Sequence, residues 1–189
     1  MKNLFVIVGF CLFSLFVAGF VYSPHLTLNS IDQAIKSNDA KALKENVNIY
    51  GLRKLVKTII EGKLKLKKDI EKQIDSNEAW LEYGNSFKLV DIVVDSLISP
   101  KGFPHLLRGE LDFVEEANNT NVQPVFADTK ISFDSLLQAH TLITNESGLE
   151  IKVILRRTGV YTWMIDTLEF PLGQMLEKFT REIKESQAQ

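Results

Sequence analysis

An uncharged, strongly apolar stretch near the N-terminus constrains this chain more than any other feature. It runs from Leu4 to Tyr22 and follows the short cationic start Met1-Lys2-Asn3. At a rise of 1.5 Å per residue, a helix of roughly 19 residues is about 28 Å long, close to the ~30 Å hydrocarbon core of a bilayer. Core helices of soluble proteins are rarely charge-free at the extreme N-terminus. The stretch therefore predicts a helix that engages a membrane.

This segment fits two fates, an uncleaved anchor or a cleaved signal peptide, and the first is favoured. A signal peptide has a shorter apolar region that ends at a small-x-small site, and Val17-Ala18-Gly19 matches that pattern weakly. A lipoprotein is excluded, because Phe10 rather than a small residue precedes Cys11. Ser23-Pro24 is expected to end the helix, since proline disfavours a helical conformation in the residue before it.

These features predict the location and the division of the chain. Lys2 and the α-amino group stay in the cytoplasm by the positive-inside rule, so the rest of the chain lies outside it. We expect an anchor or signal segment over residues 1–23 and a single exported domain over residues 24–189. The protein is then a single-pass protein of the cytoplasmic membrane facing the periplasm, or a secreted protein if the segment is cleaved.

The composition of the 189 residues excludes several classes of protein. A hydrophobic content of 45% and a charged content of 24% are typical of a globular protein and not of a disordered one. The formal net charge of −2 gives no basic field for nucleic acid, so we expect no nucleic-acid partner. Cys11 is the single cysteine, which leaves no intramolecular disulfide to stabilise the domain.

Helical periodicity covers the first two thirds of the predicted domain. A helix is expected from about Leu28, with Asn29 or Ser30 as its cap and an apolar face made of Leu28, Ile31, Ala34 and Ile35. A second short helix, capped by Asp39, is expected to form a hairpin with it. A long helix is predicted from Tyr50 to Gln73, with Gly62 able to split it. An apolar core helix follows from Leu89 to Ile98. Further predictions are a connection over 76–85, a short helical turn from Pro104 to Arg108, and a mobile segment over 110–130.

The last third changes to the period of β-strands. Strand-forming residues lie around 136–144, and alternation is clear over 151–156 and over 161–166, with turn residues at 145–148 and 157–159. An amphipathic helix is expected after Pro171. The order predicts an α+β fold, in which a helical layer packs on a three- to four-stranded antiparallel meander. It is similar to the cystatin and nuclear-transport-factor-2 folds, an analogy that carries no function.

An ordered set of short motifs resembles a bacterial family called domain of unknown function 2939. The motifs are Tyr22-Ser23-Pro24-His25-Leu26 after the apolar segment, Ala34 to Leu43, Val47 to Arg53, Leu97 to Phe103, Leu155 to Gly159, Trp163, and Phe170-Pro171. They extend over nearly the whole chain. The chain departs from the family's usual pattern at Asn48-Ile49-Tyr50 and at Trp163-Met164-Ile165. The resemblance implies a membrane-anchored bacterial protein with no established activity, and it supplies no catalytic residues.

A search for chemistry finds weak candidates only. His25, His105 and His140 lie in different predicted elements, and none belongs to a spaced metal motif. Asp91 and Asp95 lie one helical turn apart, a spacing that suits a cation or acid–base work, although the solvent edge of a buried helix explains them better. We therefore predict no catalytic residue, no metal ligand and no cofactor, and we do not expect an enzyme.

Two groups of residues are predicted to bind something other than a reacting substrate. If the sheet curls around a cavity, Arg156 and Arg157 at its mouth, with Tyr161 and Trp163, are expected to bind an anionic ligand. The alternative is that Arg156 faces solvent and Trp163 fills the core. The predicted long helix is rich in lysine, and it is expected to contact anionic lipid headgroups through Lys63, Lys65, Lys67 and Lys68. A solvated lysine-rich face is the alternative there.

Three functions follow from these observations. The leading hypothesis is a non-enzymatic module at the outer face of the membrane that binds a small ligand or lipid. The second is a structural or protein-interaction component of an envelope complex, with an unidentified protein partner. The third is an enzyme built on Asp91, Asp95 and a histidine that meets them in space.

Overall fold

The computed structural model describes residues 2–72, 90–109, 124–127, 129–145, 148–171 and 173. The helices are α1 (Lys2–Lys36), α2 (Ala40–Asn46), α3 (Ile49–Lys72), α4 (residues 90–97) and α5 (Phe103–Leu107). The strands are β1 (Ile131–Phe133), β2 (Gln138–Thr144), β3 (Glu150–Arg157) and β4 (Trp163–Glu169). The predicted connection over 76–85, most of the predicted mobile segment, and the predicted final helix lie outside the described residues.

Helix α1 is continuous for 35 residues and contains Pro24 in its interior. The predicted helix end at Ser23-Pro24 is therefore wrong, and so is the predicted cap at Asn29 or Ser30. Proline has no N–H to donate to the carbonyl four residues earlier, which here is that of Phe20. The Ser23 hydroxyl donates to this carbonyl over 2.8 Å. The helix continues because a neighbouring side chain replaces the hydrogen bond that the proline removes.

The C-terminal part of α1 supplies one wall of the core. The predicted apolar face is confirmed, since Leu28, Ile31, Ala34 and Ile35 are all buried. Asp39 then caps α2 as predicted, accepting hydrogen bonds from the N–H groups of Lys41 and Ala42. Helix α1 packs against α2, which confirms the predicted pair of neighbouring helices.

The long and central helices also agree with the sequence prediction where they are described. Helix α3 runs without a break through Gly62. Helix α4 buries Val90, Val94 and Leu97, which lie on one face of it. The short helix α5 ends before Gly109, whose φ of +73° is the left-handed conformation that favours glycine after a helix.

The four strands form one antiparallel meander in the order β1-β2-β3-β4. Ala139, Thr141 and Ile143 of β2 point into the core at the period of two that a half-buried strand shows. The last strand begins at Trp163, so Tyr161 belongs to the preceding turn and not to the strand as predicted. Val47 bridges to Ile165, and the Asn48 N–H donates to the Ile165 carbonyl over 2.7 Å. The α2–α3 connection therefore covers part of the outer edge of β4.

The described residues form an α+β arrangement in which helices pack on the sheet. Buried side chains from α1, α2 and α3 meet those of β2, β3 and β4 in one apolar cluster. Asp32 of α1 extends this contact to the segment 124–127, because its two carboxylate oxygens accept the N–H groups of Val125 and Phe126 at 2.9 and 3.1 Å. Burial raises the pKa of Asp32, and these two hydrogen bonds oppose that change.

Candidate functional site

Two turns lie together at one end of the sheet, where α1 passes beside them. Residues 134–137 join β1 to β2, and residues 158–162 join β3 to β4. The pairings of Gln138 with Arg156 and of Arg157 with Trp163 place both turns at the same end. We call these nine residues the turn end. Three of the four predicted ligand-binding residues lie in or next to it.

A buried hydrogen-bond chain joins β4 to α1 at this end. The indole N–H of Trp163 donates to the Ser23 hydroxyl over 2.8 Å, and this hydroxyl donates onward to the Phe20 carbonyl. Ser23 is fully buried and Trp163 is 2% exposed. The Thr27 hydroxyl, one turn along α1, lies 3.5 Å from the Trp163 carbonyl oxygen. Each of the polar groups in these three hydrogen bonds thus has a partner, as buried polar groups require.

Arg157 lies between the rings of two residues from different elements. Its guanidinium carbon is 3.5 Å from the ring centre of Phe20 and 4.2 Å from that of Trp163. A cation over aromatic faces is attracted by their negative quadrupole. Burial lowers the pKa of Arg157 from its ordinary value, although a guanidinium keeps its charge at any physiological pH.

The same guanidinium joins the two turns. Arg157 Nε donates to the Leu136 carbonyl over 2.8 Å, and Nη1 donates to the Val160 carbonyl. The backbone N–H of Arg157 donates to the Leu137 carbonyl over 2.9 Å. Among the described residues, Nη2 has no hydrogen-bond partner and is buried. Arg157 is therefore committed to the protein's own backbone and rings.

The β3–β4 turn also contacts the apolar part of α1. The rings of Phe16 and Tyr161 meet edge to face with their centres 5.6 Å apart. A Cβ at Gly19 would lie 3.3 Å from the Tyr161 ring, closer than most real contacts of this kind. The absent side chain at Gly19 thus lets the tyrosine approach the helix.

Arg156 has a separate environment. Its side chain is half exposed, and its Nε donates to Asp166 over 3.1 Å. The Asn48 side chain donates to the same carboxylate oxygen over 3.2 Å. Arg156 thus faces solvent, whereas Arg157, Tyr161 and Trp163 contact α1. The four residues predicted to share one ligand are divided between two environments.

An open groove of about 620 Å³ lies elsewhere on the sheet, between residues 124–127 and 129–130 on one side and strands β1–β3 on the other. Lys130 and His140 contribute its basic groups, and Leu142 and Ile143 contribute apolar walls. His140 Nδ1 lies 2.9 Å from a carboxylate oxygen of Asp134. None of the four predicted ligand-binding residues lines this groove.

Asp91 and Asp95, for which the solvent edge of a buried helix was the favoured interpretation, form ion pairs with the lysine-rich helix α3. Arg53 lies 2.5 Å from Asp95, and Lys57 lies 2.7 Å from Asp91. The hydrogen bond that Lys57 donates to the Asp91 carboxylate raises the pKa of Lys57. Exposed pairs of this kind contribute little to stability, because water and salt screen the charges. The two aspartates lie one turn apart on α4, and the two cations lie one turn apart on α3. The carboxylates of α4 therefore pair with the basic residues of α3.

The remaining predicted residues are located as follows. Lys63 and Lys65 lie on α3, and Lys65 is exposed, while the side chains of Lys67 and Lys68 lie outside the described residues. The Tyr22 and His25 rings stack on α1 with their centres 5.4 Å apart. Among the described residues, no group of three or more His, Cys, Asp or Glu side chains has the arrangement of a metal site.

The partners of Trp163 and Arg157 on α1 were not predicted. Phe20, Ser23 and Gly19 were not among the predicted site residues, because the domain was predicted to begin at residue 24. One signal was available in Ser23-Pro24, since a serine hydroxyl beside a proline can donate to the carbonyl that the proline leaves without a partner.

The first half of the chain is similar to a known protein family. Residues 13–106 match a family described as protein of unknown function (DUF2939). The chain belongs to this family. The match begins inside the apolar segment and ends in α5, so the motifs from Leu155 to Pro171 lie beyond it. Neither the curated proteins nor the solved structures gave a match.

The apolar helix of this DUF2939 protein has the dimensions of a membrane span. Over Ile7–Lys36, α1 contains an 18-residue window with a mean hydropathy of 1.9, of which 11% is buried against the protein. Length and composition of this kind fit a single membrane span, and they also fit a signal sequence.

Proposed function

We propose that this DUF2939 protein is a single-pass envelope protein of the cytoplasmic membrane, with its domain on the periplasmic face. The observation that carries the proposal is the continuity of α1 from its exposed apolar part into the core of the domain. Cleavage after Val17-Ala18-Gly19 would remove the Phe16 contact and leave Phe20 at the new N-terminus. Retention of the segment keeps these contacts with Arg157 and Tyr161, which favours an anchor over a signal peptide.

The activity that we assign to the domain is non-enzymatic binding of a small ligand or lipid. Asp91 and Asp95, the residues on which an enzyme would have been built, are occupied by ion pairs with α3. The open groove beside β2 offers a cation at Lys130, a hydroxyl at Ser132 and apolar walls. This combination suits a ligand with an acidic group and an apolar body. We also propose that the fold is similar to the cystatin and nuclear-transport-factor-2 folds, a likeness that by itself implies no function.

A second candidate is a protein-interaction component of an envelope complex. It is favoured by two large side chains that are mostly exposed, Tyr50 of α3 at 82% and Ile92 of α4 at 64%. Such residues beside charged ones are common at interfaces. Copurification of a defined protein that is lost on changing Tyr50→Ser would support it, with Tyr22→Ser on α1 as the control. An unchanged set of copurifying proteins would count against it.

Native mass spectrometry of the full-length protein, released from detergent micelles, tests the proposal. The intact mass reports whether residues 1–23 are retained, and a mass that stays bound until denaturation identifies a ligand. We expect residues 1–23 to be retained and a ligand to be bound. The fraction of protein that carries the ligand should decrease in a Lys130→Glu variant but not in a Lys41→Glu control on α2. A mature protein without residues 1–19 would contradict the anchor, and a ligand-free spectrum would contradict the binding role.

A further inference from the structure

The turn end exposes apolar side chains where a soluble protein would normally have polar ones. Leu136 is 73% exposed, Leu137 is 65% exposed and Val160 is 56% exposed, with Tyr161 beside them at 42%. Asp134 is the single charged residue among these nine, and it lies against His140. Turns between strands usually carry polar residues, so this patch is unusual.

We propose that the turn end is seated in the lipid bilayer beside α1, with Leu136, Leu137 and Val160 inserted among the lipids. This inference rests on the proposed function, because it requires that α1 span the membrane. The partner is the lipid surface itself, at the boundary between headgroups and acyl chains. Amphipathic helices that lie in this zone bury their apolar faces about 5–10 Å into it, and we expect a similar depth for these side chains.

The position of the turn end along α1 sets its depth. Crossing a hydrocarbon core of ~30 Å needs nearly the whole of the apolar stretch from Leu4 to Tyr22. Phe16 precedes Tyr22 by about 9 Å along the helix axis. Tyr161 contacts Phe16 and Gly19, and Arg157 contacts Phe20. A turn that contacts residues 16–20 of a membrane-spanning helix therefore lies at the depth of the membrane boundary.

Several backbone groups of the turn end have hydrogen-bond partners within the protein, as a site with little water requires. A backbone carbonyl that is exposed at membrane depth is strongly destabilising unless it has a hydrogen-bond partner. Arg157 supplies partners for the carbonyls of Leu136, Leu137 and Val160, the residues whose side chains are exposed. The Ser135 hydroxyl accepts the N–H groups of Leu137 and Gln138, and the Thr162 carbonyl accepts those of Thr158 and Gly159. The turns thus expose apolar side chains, while several of their backbone groups, these three carbonyls included, are bonded within the protein.

Lipid fits this surface better than a protein partner does. The patch is continuous with the exposed apolar face of α1 through Phe16 and Tyr161, so anything that surrounds the helix also meets the turns. Tyrosine is enriched at this depth, where its ring is in apolar surroundings and its hydroxyl reaches water. Aromatic rings cover the Arg157 cation, and its bonds to the turn carbonyls are of the kind that charged side chains make near hydrocarbon.

The test places a fluorescent NBD label at single cysteines in the full-length protein, reconstituted into phosphatidylcholine vesicles. Leu136→Cys and Val160→Cys are made in a Cys11→Ser background, and both positions are exposed enough to tolerate a label. Glu150→Cys, at the opposite end of β3, is the matched control, and native Cys11 reports on the span itself. Brominated phosphatidylcholine quenches labels among the acyl chains, whereas iodide quenches labels in water.

We expect labels at 136 and 160 to lose about half or more of their fluorescence in brominated vesicles and to resist iodide. The label at 150 should behave in the opposite way, and the label at Cys11 should be quenched by bromine. If 136 and 160 behave like 150 while Cys11 is quenched, the seating of the turns is wrong and the anchor stands. Labels that resist both quenchers would indicate a second copy of the chain as the cover, which also overturns the inference. If Cys11 is itself open to iodide, the proposed anchor fails as well.

Discussion

The two halves of α1 have the same backbone and opposite environments. In the first half, ten large apolar side chains between Ile7 and Tyr22 are 41–71% exposed. In the second half, Leu28, Ile31, Ala34 and Ile35 are at most 5% exposed. Both halves are apolar enough to be buried. Apolar composition predicts that a surface will be removed from water. It does not predict whether protein or lipid covers that surface, which depends on the neighbouring elements of the fold.

The largest expected effect comes from one substitution made in both halves. Ile31→Ala should lower the free energy of unfolding of the domain by about 2–5 kcal/mol, because it removes fully buried atoms and leaves a cavity. Ile7→Ala, at a residue that is 61% exposed, should leave it unchanged within about 0.5 kcal/mol. Urea unfolding of the detergent-solubilised protein measures both. Equal effects would show that the two halves do not differ as described.

The second effect concerns the residue where the two halves meet. Ser23→Ala leaves the indole N–H of Trp163 and the Phe20 carbonyl without their partner, which should cost about 1–3 kcal/mol. Ser30→Ala is the matched control, because its hydroxyl makes a similar bond to the Leu26 carbonyl on the exposed face. We expect the control to change stability by less than about 0.5 kcal/mol. The same unfolding curves decide this prediction, and a neutral Ser23→Ala variant would contradict the joining role of the hydroxyl.

A smaller effect is expected from exchanging one cation for another at the turn end. Arg157→Lys keeps the charge but loses the planar group that bonds two carbonyls and contacts two rings, which should cost about 1 kcal/mol. Arg156→Lys should cost less than about 0.5 kcal/mol, because its pair with Asp166 is half exposed. Thermal unfolding of both variants in the same detergent is the measurement. A larger loss in Arg156→Lys would reverse the roles assigned to the two arginines.

The smallest effect is a pH dependence from Asp32 in the second half of α1. Its pKa in the folded protein is raised above 3.8, mainly by burial. The folded state therefore favours the protonated form, and this contribution to stability is present at low pH and lost as the pH rises through the raised pKa. An Asp32→Asn variant does not titrate there, so its stability relative to the unchanged protein should rise across this range. Unfolding free energies measured from pH 3.5 to 7 test the sign, and a relative stability that falls with pH would contradict it.

Most of the fold could be predicted from patterns that depend on local chemistry. The period of apolar residues predicts α3 and α4, the Asp39 side chain predicts the start of α2, and alternation with turn residues predicts the meander. The buried face of α1 was predicted from Leu28, Ile31 and Ala34. These succeeded because each depends on residues within a few positions of one another.

The candidate site could not be predicted to the same degree, because it depends on contacts across the chain. Ser23 and Trp163 are 140 residues apart, and no local pattern pairs them. The proline rule predicted a helix end at residue 24, and a tertiary contact together with one hydroxyl overrides it. Arg157 was predicted to face a ligand, whereas its neighbours turn out to be the chain's own Phe20 and turn carbonyls.

The continuity of α1 through Pro24 is the central claim, and a distance between two spin labels tests it directly. Labels at native Cys11 and at Asn29→Cys, an exposed residue of α1, lie on either side of the proline. A continuous helix separates the two backbones by about 27 Å along its axis. Pulsed electron–electron double resonance on the protein in vesicles should therefore give one narrow distance distribution near that value, after correction for the length of the label side chains. A broad or markedly shorter distribution would show that the helix ends at Ser23-Pro24, and the account of a single helix joining membrane and domain would be wrong.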